Sequence, residues 1–218
     1  MSTETVQNPN KENENNTTTA ANGTIVKQTP FDPSVRHPLL HNWTLWYDSQ
    51  MTNPQAAKQQ SQDNWGESIK EVYTVTSVED FWRLYNNVAT PSQLQLGCNY
   101  NLFKKGIQPK WEDPSNAQGG KWTLLISKQK GLLDKYWMWL VLACIGEQLD
   151  DEQNQICGCV VNVRKGQDKL NIWTKDAENK DAIMKIGYAL KKVLELPDVF
   201  PVSYQAHFSK SRANKYEI

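Results

Sequence analysis

Residues 156–175 read ICGCVVNVRKGQDKLNIWTK. Two runs rich in β-branched and apolar residues, Ile156 to Arg164 and Lys169 to Lys175, flank the turn Lys165-Gly166-Gln167-Asp168. That pattern predicts an antiparallel hairpin. Side chains alternate along a strand. Val160, Asn162 and Arg164 therefore share one face of the first strand, and Lys169, Asn171 and Trp173 share one face of the second. One side of the ribbon thus carries two cations, two amides and an indole. By itself this fits a solvated sheet face with a half-buried Trp as well as it fits a binding surface.

Working outward, Trp43 to Tyr47, Ile69 to Val75, Tyr100 to Lys104, Lys121 to Ser127 and Phe200 to His207 read as further strands. Ser77 to Asn87 reads as a helix. Ser77 can cap it, and Asp80 completes an approximate capping box. Val78, Phe81, Trp82 and Tyr85 fall on one face of that helix. Leu132 to Ile145 is a second helix with Gly146 as its stop, and Asn179 to Leu196 a third, ended by Pro197. Strands and helices mix without βαβ alternation. The expectation is α+β, an antiparallel sheet with helices on one face.

The 218 residues suit one domain plus tails. Residues 1–35, rich in Asn, Thr and Glu, bury too little apolar surface to repay ordering and are expected to be a disordered tail. The Gln-rich stretch Asp48 to Asn64 reads as a long loop that delivers Trp65. Formal net charge is zero, so any contact with nucleic acid must come from a local site. Cys98, Cys144, Cys157 and Cys159 lack the paired spacing of a zinc site, and no metal is expected. No apolar leader or spanning segment is visible, because the run Tyr136 to Ile145 is far short of the roughly 20 residues a bilayer needs. Reduced thiols and a cytoplasmic address, with the nucleus as a second one, follow.

The loop KWEDPSNAQGGKW, Lys110 to Trp122, holds an indole followed directly by a carboxylate. Trp65 and Trp111 both stand in irregular segments outside apolar periodicity. Two loop indoles can sandwich a flat ring, worth about 1–3 kcal/mol per base, and a cationic ring gains about 2 kcal/mol more when desolvated. Glu112 accepts hydrogen bonds only, so it selects a ring edge rich in N–H. Guanine has such an edge. Arg164, Lys169 and Lys121 can hold phosphates. A 7-methylated guanosine triphosphate has every one of these properties.

Enzyme motifs are absent: no G-x-S-x-G, no phosphate-cradling G-x-x-x-x-G-K-[ST], no H-E-x-x-H. His37, His41 and His207 sit at the ends of the domain and read as structural or exposed. A glycan-binding or hydrolytic module is the competing class, since Trp platforms also suit sugars. A hydrolase needs two carboxylates about 5 to 9.5 Å apart, and the adjacent Glu112 and Asp113 rarely converge on one bond.

These residues resemble a known family. His37-Pro38-Leu39, Trp43-Thr44-Leu45-Trp46, Val78-Glu79-Asp80-Phe81-Trp82, YNLFKKGIQPKWED from Tyr100 to Asp113, Gly119-Gly120-Lys121-Trp122, Ile145-Gly146-Glu147, Val160 to Arg164, Ile172-Trp173-Thr174 and Tyr204 to His207 run in order over about residues 36–218. The chain is similar to eukaryotic translation initiation factor 4E, the mRNA cap-binding family. The resemblance implies a curved antiparallel sheet of about eight strands with three helices on the convex face. It implies a non-catalytic cap-binding domain over 36–218 without a cofactor, recruiting capped mRNA in translation initiation. A cap-binding repressor is the alternative, and tryptophans at 43 and 65 favour the initiation role.

The resemblance also assigns roles. Trp65 and Trp111 correspond to the base sandwich, Glu112 to the base-edge acceptor and Trp173 to the contact with the N7 methyl. Arg164, Lys169, Lys121 and Asn162 fall on the phosphate side, with Lys210 as a further tail contact and Ser209 and Ser211 as phosphorylation candidates. His37, Pro38, Val78, Trp82, Met138, Trp139 and Leu142 correspond to a dorsal patch. In the family it receives a Tyr-x-x-x-x-Leu-apolar helix from the scaffold subunit or from repressors, while Phe81 and Tyr85 face inward. Three residues depart from the pattern. Lys121 stands where other members often carry Arg. Met138 replaces a usual Leu, and Trp139 stands where many members carry a polar or charged residue that helps bind the partner.

Overall fold

The computed structural model describes residues 35–49, 69–150, 154–208 and 214–218. Residues 1–34, Trp65 with most of its loop, and Ser209, Lys210 and Ser211 lie outside the described residues. The strands are β1 (Pro38–Ser49), β2 (Ile69–Ser77), β3 (Cys98–Lys104), β4 (Gly120–Ile126), β5 (Ile156–Asn162), β6 (Asp168–Thr174), β7 (Ser203–Ala206) and β8 (Tyr216–Glu217). They form one sheet in the order β2-β1-β3-β5-β6-β4-β7-β8, with every neighbouring pair antiparallel. The helices are α1 (Val78–Tyr85), α2 (Leu132–Ile145) and α3 (Lys180–Val193).

The expected hairpin is β5–β6, with Val160 opposite Asn171 and Asn162 opposite Lys169. Alternation then sorts the sheet into two faces. On one, Leu45, Tyr100, Leu102, Trp122, Leu124, Cys159, Val161, Leu170 and Ile172 join residues of all three helices in one core. On the other, Asn99, Asn101, Lys121, Thr123, Asn162, Lys169, Asn171 and Trp173 line an open cavity. The two sets interleave residue by residue along β3, β4, β5 and β6, as a period of two requires. Trp122 is fully buried and its indole N–H donates to the Ile183 carbonyl of α3 at 2.9 Å. A buried Trp needs such a partner.

Local capping differs from expectation in instructive ways. Ser77 Oγ accepts the Asp80 N–H at 3.1 Å, but the Asp80 carboxylate takes the Thr76 hydroxyl at 2.9 Å, so only half of the box closes. Helix α1 ends at Tyr85 rather than Asn87, and α3 spans Lys180–Val193 within the wider predicted range. Gly146 does stop α2, yet its φ is −89°, and the left-handed residue is Glu147 at φ 53°. Glu147 is held there by His41 at 3.0 Å. Asp48 and Ser49, read as loop, continue β1. The two-residue β8 and a 3₁₀ turn at Pro91–Gln93 carry too little periodicity to be seen in sequence. Among the described residues, no helix is long and apolar enough to cross a membrane. All four cysteines are buried free thiols.

Candidate functional site

The cavity on the helix-free face encloses about 480 Å³. Its floor is a row of hydrogen-bonded side chains that crosses five neighbouring strands. Thr123 (β4) donates to Asn171 Oδ1 at 2.9 Å, and Asn171 (β6) donates to Asn162 Oδ1 at 2.8 Å. Asn162 (β5) donates to Asn99 Oδ1 at 2.8 Å, and Asn99 (β3) donates to Asp48 (β1) at 2.9 Å. A carboxylate only accepts. The Asp48 end therefore fixes the direction of every amide in the row. Of these residues, Asn162 and Asn171 were placed on this face from sequence alone. Asp48, Asn99 and Thr123 were missed. The alternation of Asn99 and Asn101 along β3 was the available signal.

Cations stand above this floor. Lys121 and Lys169 line the cavity and, among the described residues, have no ion-pair partner. Burial, then the neighbouring Lys169 charge, lowers the Lys121 pKa below the ordinary lysine value. Arg164 also lines the cavity, with its pKa lowered by burial and opposed by Asp48 and Asp168. Its guanidinium donates to the Val163 carbonyl at 2.9 Å, which leaves other N–H groups for a ligand. Lys121 is thus a largely buried cation with no ion-pair partner among the described residues, which is costly, and an incoming anion relieves that cost.

Two indoles frame the cavity. Trp173, half-buried, packs edge-on against Phe103 at 5.5 Å and over the His207 ring at 4.2 Å. His207 is pushed down to about 4 by burial and then by Lys121, so it is neutral at pH 7. Trp111 is 40% exposed on the β3–β4 loop and touches Phe208 at 5.1 Å. The loop that carries it is pinned from below. Asp113 accepts the Gln108 and Ser115 backbone N–H groups at 2.9 and 2.8 Å. Buried Asn116 donates to the Gln108 and Lys110 carbonyls at 2.9 and 2.7 Å. Asp113 is thus committed to the loop. A Cβ on Gly119 would lie 1.8 Å from the Thr174 carbonyl oxygen, and one on Gly120 would lie 2.5 Å from the Tyr204 hydroxyl. Only glycine lets the loop re-enter the sheet at this point.

The structure therefore gathers Trp111, Trp173, Lys121, Arg164, Lys169 and Asn162 around one cavity. Glu112 is exposed on the same loop, beside Trp111, and is not among the residues that line the cavity. The other predicted set lies apart. Val78 (39%) and Trp82 (38%) are exposed on α1, Met138, Trp139 and Leu142 are half-buried on α2, and His37 and Pro38 are exposed at the start of β1. Phe81 is buried beneath α1, as expected of an inward-facing residue.

Comparison with known proteins identifies the family. Residues 38–217 match the family model described as Eukaryotic initiation factor 4E. Eukaryotic translation initiation factor 4E-1 of Phaseolus vulgaris is 45% identical over 187 residues, covering 84% of this chain and 76% of the relative. Factor 4E-3 of Caenorhabditis elegans is 41% identical, over 84% of this chain and 71% of the relative. A solved complex of that C. elegans factor with the 4E-binding protein Mextli and cap analog superposes with TM-score 0.76 at 40% identity. It covers 84% of this chain and 100% of that one. The Ascaris suum factor 4E-3 with m2,2,7G cap gives TM-score 0.75 at 41% identity, over 84% and 99%. The chain belongs to the eukaryotic initiation factor 4E family.

Proposed function

We propose that the cavity binds the 7-methylguanosine cap of mRNA and that the protein acts in translation initiation by binding alone, without turnover. The observation that carries this reading is the convergence of Arg164 with Lys121 and Lys169, which have no ion-pair partner among the described residues, on a cavity framed by Trp111 and Trp173. Methylation at N7 makes guanine a cation, and a cation over an indole gains about 2 kcal/mol or more when desolvated. Trp111 supplies one stacking face, and Trp65 is the candidate for the other. Glu112 meets the N1–H and amino edge at the mouth of the cavity, where its exposure leaves both oxygens accessible to the ring. Trp173, braced by Phe103 and His207, presents its indole to the methyl group. The phosphates extend over Arg164, Lys169 and Lys121, with Asn162 held in place by its two amide neighbours. Lys210 is a candidate tail contact. The solved relatives bound to cap analogues support the same reading.

The opposite face, with Val78, Trp82, Met138, Trp139 and Leu142, seats a helix of the scaffold subunit or of a binding protein, as the C. elegans complex with Mextli supports. The place of work on this reading is the cytoplasm, with the nucleus as a second address. Titration of tryptophan fluorescence with 7-methyl-GTP and with GTP tests the cap site. The methylated nucleotide quenches at far lower concentration, because only it is cationic at the ring; equal quenching by both sinks the proposal.

A further inference from the structure

The partner-facing surface has a charge pattern of its own. Every carboxylate of α1, α2 and the turn after it is engaged within the protein. Glu79 accepts the His37 backbone N–H at 3.1 Å and contacts its ring nitrogen at 2.6 Å. Asp80 takes the Thr76 hydroxyl at 2.9 Å, Arg83 at 3.0 Å and Arg36 at 3.6 Å. Asp134 accepts the Ser92 N–H and hydroxyl at 2.8 and 2.5 Å. Glu147 holds His41 at 3.0 Å and Lys104 at 3.8 Å. None of them is left to greet a basic residue of a partner.

One cation on this face is left over. Lys135 is exposed on α2 and, among the described residues, has no carboxylate partner. Its ammonium instead lies over the Trp139 ring at 4.1 Å, one helical turn on, and 6.0 Å from the Tyr136 ring. Asp134, the neighbour in sequence, is turned away to Ser92, because successive helix residues do not face each other. Lys135 also sits near the amino end of α2, where the helix dipole is positive and the cap, Gly131, offers no side-chain acceptor. The one carboxylate of the first turn, Asp134, is drawn to Ser92 and does not pair with Lys135.

We propose that the helix seated on this face carries a carboxylate, Asp or Glu, over Lys135 and Trp139, so that acidic rather than basic binding helices are preferred. This rests on the reading that the face seats a binding-protein helix. Half-buried Trp139 supplies an apolar floor on which the aliphatic part of the acidic side chain packs, while the ammonium above it meets the carboxylate. The lowered exposure of such a pair within an interface strengthens it over a free surface pair.

Three helical peptides with Tyr-x-x-x-x-Leu-Leu spacing test this: all-Ala at the intervening positions, or with the two middle ones both Glu or both Lys. Each is titrated against the full chain, Lys135→Glu, Lys135→Ala and Trp82→Ala, with quenching by 7-methyl-GTP as the control that each variant is folded. The expected order for the unaltered protein is Glu tightest and Lys weakest, with a Glu–Lys difference of roughly fivefold, as for rim charges. Lys135→Glu reverses the order, Lys135→Ala erases it, and high salt shrinks it. Equal affinities, or the Lys peptide tightest, overturn the charge assignment while leaving the seat intact. No binding of the all-Ala peptide, or undiminished binding to Trp82→Ala, overturns the seat itself.

Discussion

The two faces of the sheet are built on opposite plans. The concave face is polar and braced before any ligand arrives: an amide row anchored on Asp48, a neutral His207 behind Trp173, and a loop pinned by Asp113 and Asn116. The helical face offers apolar side chains with little bracing beyond the helix itself: Val78 and Trp82 stand 39% and 38% exposed. A charged ring with a phosphate chain demands fixed donors and acceptors, since an unmade buried hydrogen bond costs about 1–3 kcal/mol. A partner helix demands apolar area, where a few anchors carry the affinity. Rigidity sits where polarity is read, and exposed apolar surface sits where another helix is to cover it.

The difference is sharpest between Trp122 of β4 and Trp111 of the loop that precedes it. Trp122→Ala empties a fully buried site and removes the bond to Ile183, and is expected to lower stability by about 3–5 kcal/mol in chemical denaturation. Trp111→Ala leaves stability nearly unchanged, because the ring is 40% exposed, but costs about 1–3 kcal/mol in 7-methyl-GTP affinity. Retention of Trp111→Ala on a cap-analogue resin at the unaltered level would break the assignment. Trp82→Ala tests the independence of the faces: it weakens binding of a partner helix by about 2 kcal/mol as a central anchor, while the fluorescence titration with 7-methyl-GTP stays where it was. A parallel loss of cap affinity would show the faces to be coupled.

Smaller effects probe the bracing. Asn162→Ala cuts the amide row at its centre, and is expected to cost about 1 kcal/mol in triphosphate binding. Binding of the nucleoside 7-methylguanosine, which lacks phosphates, changes less. His207 gives the smallest effect near neutrality. Its folded pKa lies at about 4, below the ordinary 6.5, so the unfolded chain takes up the proton first as pH falls. The His207 contribution to stability is flat above pH 6.5 and is lost progressively as pH falls from 6.5 to 4. His207→Leu flattens that decline in thermal melts, and an unchanged slope would show that other groups cause it.

Much of this was legible in the sequence, and the reasons are physical. The β5–β6 hairpin declared itself by a turn between two β-branched runs, and alternation alone put Asn162, Arg164, Lys169 and Trp173 on one side. Trp111 stood out because it breaks apolar periodicity. The row from Thr123 to Asp48 was not legible, because it joins residues up to 123 positions along the chain through strand neighbours that sequence does not order. Asp48 itself was hidden in a stretch whose polarity reads as loop. Gly146 was legible as the stop of α2, but the left-handed turn at Glu147 was not, since it is the contacts with His41 and Lys104 that hold a glutamate there.

The sequence by itself determined the local elements, the polarity of each strand face and the chemistry on offer: indoles, cations and a loop carboxylate. Those are set by period, turn residues and side-chain type, all of them short-range properties. Only the tertiary structure decided which groups meet. It brought five strands' polar residues into one directed row and, among the described residues, left Lys121 and Lys169 on the cavity and Lys135 of α2 without a carboxylate partner. Such outcomes depend on strand order and on which carboxylate reaches which base first, and long-range packing settles both.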